Sequence, residues 1–426
     1  MLKPIQNKYN YYMRKMKNYF NKPETQFLKE SVLGIMKSKS VILRRIAMEL
    51  QEEIPLKKTC KRLRNHLQKD GIWQKLTKEH NKNIRHKICK NDYAILDISD
   101  IQKEYAQKME GLDKVRDGDN KNIGTGYWMM NVLRISKNGQ EMTPLYNKVY
   151  SFEKGTISEN TEILSAFETV AKNIDKDLIK VIDRGGDRKT LIVPFLRNND
   201  KFIIRLNGGG RARHLQYQDK SLSVPEISKR VDQKFKLIGK VKKNGKTKNK
   251  YFKGGAVRVK FKDFDYNHTY QQELWFVSIK RLNGGYSYFL LNIDEKDPEK
   301  VVNKCFKAYG FRWHIEEYHR HIKTQYNLES IQLMNFNSIQ TMVTLLMITM
   351  YFIYTEMGQI SWYLLTKGPL KFEKVRNKYE LKEKYIYYMI GKQIAKILSD
   401  VTVRKLNIYK EKLRREKRQL KLKFGF

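Results

Sequence analysis

Residues 309 to 323 read YGFRWHIEEYHRHIK. On a helix that advances about 100° per residue, Tyr309, Arg312, Glu316 and Lys323 fall in one stripe roughly 60° wide. Phe311, Ile315, Tyr318 and Ile322 form a second, apolar stripe suited to a core. A single carboxylate beside two cations and an aromatic ring suits a metal ion next to a phosphodiester. The carboxylate holds the metal, the cations hold phosphates, and the ring stacks or packs. The same stretch also fits an amphipathic helix with a solvated charged face, so the chemistry requires partners elsewhere in the chain.

Phosphodiester cleavage by two metal ions needs acidic ligands from separated parts of the chain, converging on ions about 3.5–4 Å apart. Carboxylate oxygens suit Mg²⁺ and Mn²⁺, and strand ends of an α/β sheet are good places to present them. Tyr93 to Ile98 reads as a strand that ends at Asp97, and Leu178 to Ile182 as a buried strand that ends at Asp183. A strand-terminal Asp is often only a turn former or cap. Asp100, three residues after Asp97, is the alternative ligand if the first strand runs longer; the apolar run AIL leading into Asp97 favours the latter. Asp187 reads as a cap or a solvated residue. His314, Glu317 and His321 also share a helix face, but the spacing is not that of a zinc-binding His-Glu-x-x-His.

The elements that must position these residues change texture along the chain. Residues 1–90 read as helical and basic. Ser40 caps a helix carrying Leu43, Ile46, Ala47, Leu50 and Ile54, and Pro55 ends it. Leu56, Cys60, Leu63 and Leu67 form a second stripe, with Lys57, Lys58, Lys61, Arg62 and Arg64 mostly off it. Two short helices with a basic face suit a DNA-binding module. Further strands are expected over Tyr127–Ile135, Pro144–Phe152 and Lys201–Leu206, with a helix over Glu159–Ile174. From about 207 to 285 the pattern turns all-β. Asn244-Gly245 signals a hairpin between Phe235–Lys242 and Tyr251–Phe261, crowded by Lys236, Lys240, Lys242, Lys243, Lys246, Lys248, Lys250 and Lys253. The α/β texture resumes over Tyr286–Ile293 and a helix from Pro298, and everything after Asn335 reads as helical. The expected organisation is a helical basic domain (1–90), an α/β catalytic domain (91–206 and 286–334), a β-rich insertion (207–285) and a helical C-terminal region with a basic tail (335–426).

The chain of 426 residues carries 86 Lys and Arg against 45 Asp and Glu, a formal charge of +41. Such an excess points to a polyanionic partner, nucleic acid first. With 40% apolar and 12% aromatic residues, the chain can build a core and is not a disordered basic tail. Cys60, Cys89 and Cys305 form no Cys-x-x-Cys pair, so neither a disulfide framework nor a zinc ribbon is indicated. The apolar run over Met342–Tyr354 is short for a bilayer and reads as a core helix. No apolar signal core follows the N-terminal cations. The expectation is a cytoplasmic, nucleoid-associated bacterial protein with no membrane partner.

Tyr309, two residues, Arg312, three residues, Glu316, six residues, Lys323 resembles without a gap the Tyr-Arg-Glu-Lys signature of bacterial DDE transposases of the insertion-sequence-four family. Ile182-Asp183-Arg184 resembles the family's second-Asp motif and Ile95-Leu96-Asp97 its first; the resemblance covers roughly residues 90 to 355. It implies an α/β, ribonuclease-H-like catalytic core with a β-rich insertion, flanked by helical N- and C-terminal regions. It further implies a catalytic and metal-binding triad of Asp97, Asp183 and Glu316 with Mg²⁺, Mn²⁺ substituting. Tyr309, Arg312 and Lys323 would contact the transposon end. Tyr288, in YFLLN, is the candidate aromatic for stacking a flipped base, and Trp313 a further DNA contact. The implied function is cut-and-paste transposition. A homodimer would hold terminal inverted repeats in a synaptic complex, cleave the strands, in some members through a hairpin, and transfer them to target DNA. A DNA-binding regulator derived from a transposase, or a metal-dependent nuclease, are the alternatives.

Overall fold

The computed structural model describes residues 2–116, 122–174, 177–210, 212–243, 246–263, 268–282, 284–358, 372–375, 378–381 and 386–402. Five helices come first: α1 (Leu2–Met16), α2 (Lys22–Ser38), α3 (Leu43–Glu49), α4 (Leu56–Leu67) and α5 (Ile72–Ile84). Local sequence explains their limits. Asn21 caps α2, accepting from Glu24 N while the Glu24 side chain accepts from Asn21 N, a reciprocal cap. Ser40 Oγ accepts from Ile42 N just before α3, and Pro55 precedes α4.

The core strands are β1 (Tyr93–Gln102), β2 (Asp113–Arg116), β3 (Ile123–Ile135), β4 (Met142–Tyr150), β5 (Ile179–Ile182) and β6 (Phe202–Leu206), with α6 (Glu159–Ile174) and α7 (Lys189–Arg197) between the last three. Their spatial order is β4-β3-β1-β5-β6. β3 runs antiparallel to β1 and to β4, while β1, β5 and β6 are parallel. Three antiparallel strands followed by two parallel ones reached through helices is the ribonuclease-H-like topology. β1 is longer than its sequence indicated. It continues past Asp97 to Gln102, because β3 pairs with it along its whole length, from Tyr93–Ile135 to Gln102–Gly126.

After β6 come β7 (His214–Tyr217), β8 (Lys220–Ser223), α8 (Val224–Arg230), β9 (Phe235–Lys243), β10 (Lys246–Asp263), β11 (His268–Arg281) and β12 (Tyr286–Asn292). β12 pairs antiparallel with both β6 and β11, so this β-rich segment extends the core sheet, giving 12 strands among the described residues. Asn244-Gly245 and the side chains of Lys240, Lys242, Lys243, Lys246 and Lys248 lie outside the described residues, as does the basic tail from Arg404. The chain continues with α9 (Pro298–Gly310), α10 (Trp313–Gln325) and α11 (Phe336–Tyr351). The helical texture expected after Asn335 is interrupted by a short ladder of β13 (Phe372–Val375) with β14 (Lys378–Leu381), before α12 (Ile386–Leu398).

α11 organises the core. With the π-turn that follows, it is long and apolar enough by composition to cross a membrane, but it lies buried inside the fold. It packs against β4, α2, α4 and α5. Its buried polar groups are satisfied: Asn147 Nδ2 donates to Val343 O at 2.6 Å and Val149 N to Gln340 Oε1 at 2.5 Å, as burial of polar groups requires. The N-terminal helices share this core. Tyr12 packs edge-on against Phe352 and its hydroxyl meets His80 Nδ1 at 2.7 Å, while His80 Nε2 faces Pro144 O at 3.3 Å.

Burial pushes His80 down to about 4, and His319 and His321 down to about 3. Each imidazole is neutral in the folded protein and protonates near 6.5 when unfolded. Stability from these groups is therefore complete above about pH 6.5 and declines as pH falls toward 4, with a slope of at most about 1.4 kcal/mol per pH unit per histidine. His80→Gln keeps a donor and an acceptor but cannot charge. Its urea midpoint at pH 5, relative to pH 7.5, should fall less than that of the wild type. An equal fall would remove His80 from the account.

Candidate active site

Strand register places the carboxylates. Ile95 of β1 pairs with Val181 of β5; two residues further along both strands stand Asp97 and Asp183, level on adjacent parallel strands and on one face. The same row extends outward. Asn131 of β3 is paired with Asp97. Arg205 of β6 follows the Ile182–Ile204 pair by one residue, level with Asp183. Phe289 of β12 pairs with Arg205. Asn131 and Arg205 were not singled out from sequence, although a lone cation closing the apolar strand FIIR is a signal.

The signature stretch does not form one helix. α9 ends at Gly310 and α10 begins at Trp313, with Arg312 as its N-cap residue. Gly310 is a poor helix residue, and Phe311 is pinned into the fold against Tyr93, with ring centroids 5.7 Å apart. Gly139, at φ +75°, makes room: a Cβ there would lie 2.3 Å from the Phe311 ring. Beyond the break the expected stripes hold. Ile315, Tyr318 and Ile322 are buried, and Arg312 bonds the Glu316 carboxylate one turn on. Asn131 Nδ2 donates to His319 Nε2 at 3.1 Å, tying α10 to the strand beside Asp97.

Arg312 is the hub of the charges. Its guanidinium bonds Glu316 and reaches Asp97 Oδ2 at 3.4 Å. Burial pushes the Asp97 carboxyl up to about 7; Asp183 and Glu316 push in the same direction and Arg312 opposes them. Asp97, Asp183 and Glu316 thus act within one shared field. Among the described residues, no three His, Cys, Asp or Glu side chains form a closed metal-binding group.

The other candidates separate clearly. Asp183 caps the turn after β5, accepting from Gly185 N at 2.8 Å. Asp100 is taken by Lys323 Nζ at 3.0 Å and Gln102 Nε2 at 2.8 Å, and Lys323 also pairs with Glu329. Asp187 is a buried cap and not solvated: it accepts from Asn207 N and Arg213 Nε. His314 bonds Phe311 O, Glu317 pairs with Arg320 and His321 meets the Tyr354 hydroxyl, so these three do not converge.

Tyr309 accepts from Arg205 Nη1 at 3.0 Å and sets its ring edge-on to Phe289, 4.9 Å between centroids. Beside it lies a cavity of about 620 Å³ between the β9–β10 ribbon and α9, whose charged lining is Arg205, Lys236, Arg281 and Lys307. Tyr288 is a correction. Phe289 faces Tyr309, so strand alternation sends Tyr288 to the opposite face, where it stacks on Tyr286 and Phe276 and covers Gly208. Trp313 is half exposed at the start of α10, edge-on to His314.

Residues 147–353 match the family described as Transposase DDE domain. The matched segment holds Asp183, Arg205 and the whole signature from Tyr309 to Lys323; Asp97 precedes it. The comparison therefore places the chemistry of DNA transposition and recombination in the segment that carries two of the three gathered carboxylates. No curated protein matches the chain. Among solved structures, the chain is similar to the piggyBac transposase synaptic complex with hairpin DNA, determined by cryo-EM. The identity is 11% and the TM-score 0.43, over 92% of this chain and 76% of that one. A likeness at that level carries no part of the assignment.

Proposed function

We propose that the chain is a DNA transposase of the insertion-sequence-four type that cleaves terminal inverted repeats and joins them to target DNA, with Asp97, Asp183 and Glu316 as the catalytic carboxylates. The observation that carries this reading is the register that sets Asp97 level with Asp183, with Arg312 bridging Asp97 to Glu316 from α10. The family match over residues 147–353 supports it.

The donor set fits divalent cations. Three carboxylates in one partly buried field need positive charge, and in this state the Arg312 guanidinium supplies it. Asp97, Asp183 and Glu316 would hold Mg²⁺ or Mn²⁺, both of which favour carboxylate oxygen. Bound there, the ions would stabilise the attacking and leaving oxygens of an in-line displacement. The remaining work falls to the chain's own groups. Arg312, bidentate by nature, and Lys323 bind phosphates of the end being cut. Arg205 orients Tyr309 at the mouth of the cationic cavity, where the strand end is received. Asn131 and His319 fix α10 against β3 and so hold Glu316 beside Asp97. Hydrolysis of the phosphodiester frees a 3′-hydroxyl, which then attacks a target phosphodiester and displaces a target 3′-oxygen. Two ends would be held by a homodimer.

The test is incubation of the purified protein with duplexes carrying the sequences that flank its gene. Nicking at the element boundary with Mg²⁺, abolished by chelation and restored by Mn²⁺, is expected. Cutting that persists in excess chelator contradicts the reading. The same gel scores a hairpin at the element end, the family's route for freeing the second strand; free double-strand breaks without one exclude that route here.

A further inference from the structure

The α3–α4 pair carries a surface that the catalytic chemistry does not use. α4 has the sequence LKKTCKRLRNHL, with no acidic residue. Its inner face, Thr59, Leu63 and Leu67, is buried, and α4 packs against α3, α2 and α11. The outer face presents Lys57, Lys61 and Arg64, spaced four and three residues apart and therefore in one stripe; all three are exposed. The cations of this helix are of two kinds. Arg62 binds Glu30 at 2.8 Å and Glu52 at 2.9 Å, and Thr59 Oγ1 also donates to Glu52. Arg62 therefore fastens α4 to α2 and to the turn before it. Among the described residues no carboxylate pairs with Lys57, Lys61 or Arg64. Arg44, exposed on α3, joins Lys57 and Arg64 around a groove of about 390 Å³ whose far wall is Gln332 and Leu333.

That wall links the surface to the candidate active site. Gln332 and Leu333 follow the turn at Leu328–Ser330, just beyond α10. Lys323 of α10 pairs with Glu329 of the same turn, Lys103 donates to Glu329 O and Ile331 O, and Val41 N, at the head of α3, donates to Tyr326 O. The α3–α4 pair is thus hydrogen-bonded to the C-terminal end of the helix that carries Glu316 and Lys323.

We propose that α4 docks in the major groove of duplex DNA, with Lys57, Lys61, Arg64 and Arg44 on the DNA and Arg62 as an internal anchor. This rests on the transposase reading above. A helix of this width fits a major groove, a short preceding helix braces it as in helix-turn-helix modules, and an acid-free cationic stripe complements the phosphate charge. The hydrogen bonds to α10 would fix the distance between the docked duplex and the cleaved phosphodiester.

Fluorescence anisotropy with a duplex carrying the gene's flanking end tests this, using full-length protein. The Lys57→Ala/Lys61→Ala/Arg64→Ala variant should bind at least about 100-fold more weakly near 0.1 M salt. Its slope of log affinity against log salt should shrink by about 2.7, at about 0.9 per lost phosphate contact. Arg62→Ala should lower the melting temperature and leave that slope unchanged. Wild-type affinity and slope in the triple variant, with an unchanged melt, overturn the proposal. An equal loss on an A-form RNA duplex of the same length assigns the face to RNA and also overturns it. End cleavage in the same preparations separates the two readings. If the triple variant loses duplex binding while the wild type never cuts with any divalent ion, the surface stands and the transposase reading falls. If the wild type cuts and the triple variant binds and cuts like it, the surface falls and the transposase reading stands.

Discussion

Asp97→Asn is expected to lower the single-turnover rate of end cleavage by on the order of 10²–10³ or more, the scale of losing a group aimed at developing charge, while end-DNA affinity changes by less than about threefold. Asp100→Asn, three residues away, should cost only about tenfold. The difference follows from what each carboxylate touches. Asp97 stands level with Asp183 and shares its field with Glu316. Asp100 is spent on Lys323 and Gln102, so its loss acts only through the placement of Lys323, and such supporting partners are worth about 10–100-fold. Cleavage rates for both variants, with anisotropy on the same duplex, decide it. A larger loss in Asp100→Asn than in Asp97→Asn would move the ligand to position 100.

The second large effect is on stability. Asp92, just before β1, and Arg134 of β3 form an ion pair with both side chains 2% exposed, at 2.6 Å from Nη2 and 2.7 Å from Nε. Asp92 also accepts from Cys89 N and Lys137 N. Removing one member of such a pair leaves a buried charge without its partner, at a cost of about 3–5 kcal/mol. Asp92→Ala should therefore lose about that much in urea unfolding. Because the pair locks the start of β1 to the end of β3, it also sets the register that brings Asp97 opposite Asn131. A loss below about 1 kcal/mol would show that the pair contributes little and that β3 pairing alone holds β1 in place.

The legible part of this protein was local. Residue types and spacing in YGFRWHIEEYHRHIK marked Arg312, Glu316 and Lys323, and the apolar stripe through Ile315, Tyr318 and Ile322 gave the buried face of α10. The helix over Glu159–Ile174 and the strands from Phe202 and Tyr286 were readable from periodicity. Pairing between distant strands was not readable. Asn131 and Arg205 join the site only through register with Asp97 and Asp183, which no single strand encodes. Tyr288 was misplaced for the same reason: its face is set by the pairing of β12 with β6. The break at Phe311 depends on Gly139, about 170 residues earlier in the chain, which makes room for that ring. The N-terminal helices carry basic faces as expected, but their core is shared with α11, a long-range packing that composition does not reveal.

The most direct test of the account is Glu316→Gln, which keeps the size of the side chain and removes the charge that Arg312 now neutralises. Wild type and variant should be compared on one end duplex, with anisotropy for binding and a denaturing gel for Mg²⁺-dependent cleavage. The account predicts that both bind with similar affinity and only the wild type cuts. Equal cutting by both would show that Glu316 is not a catalytic carboxylate and would contradict the active site described above.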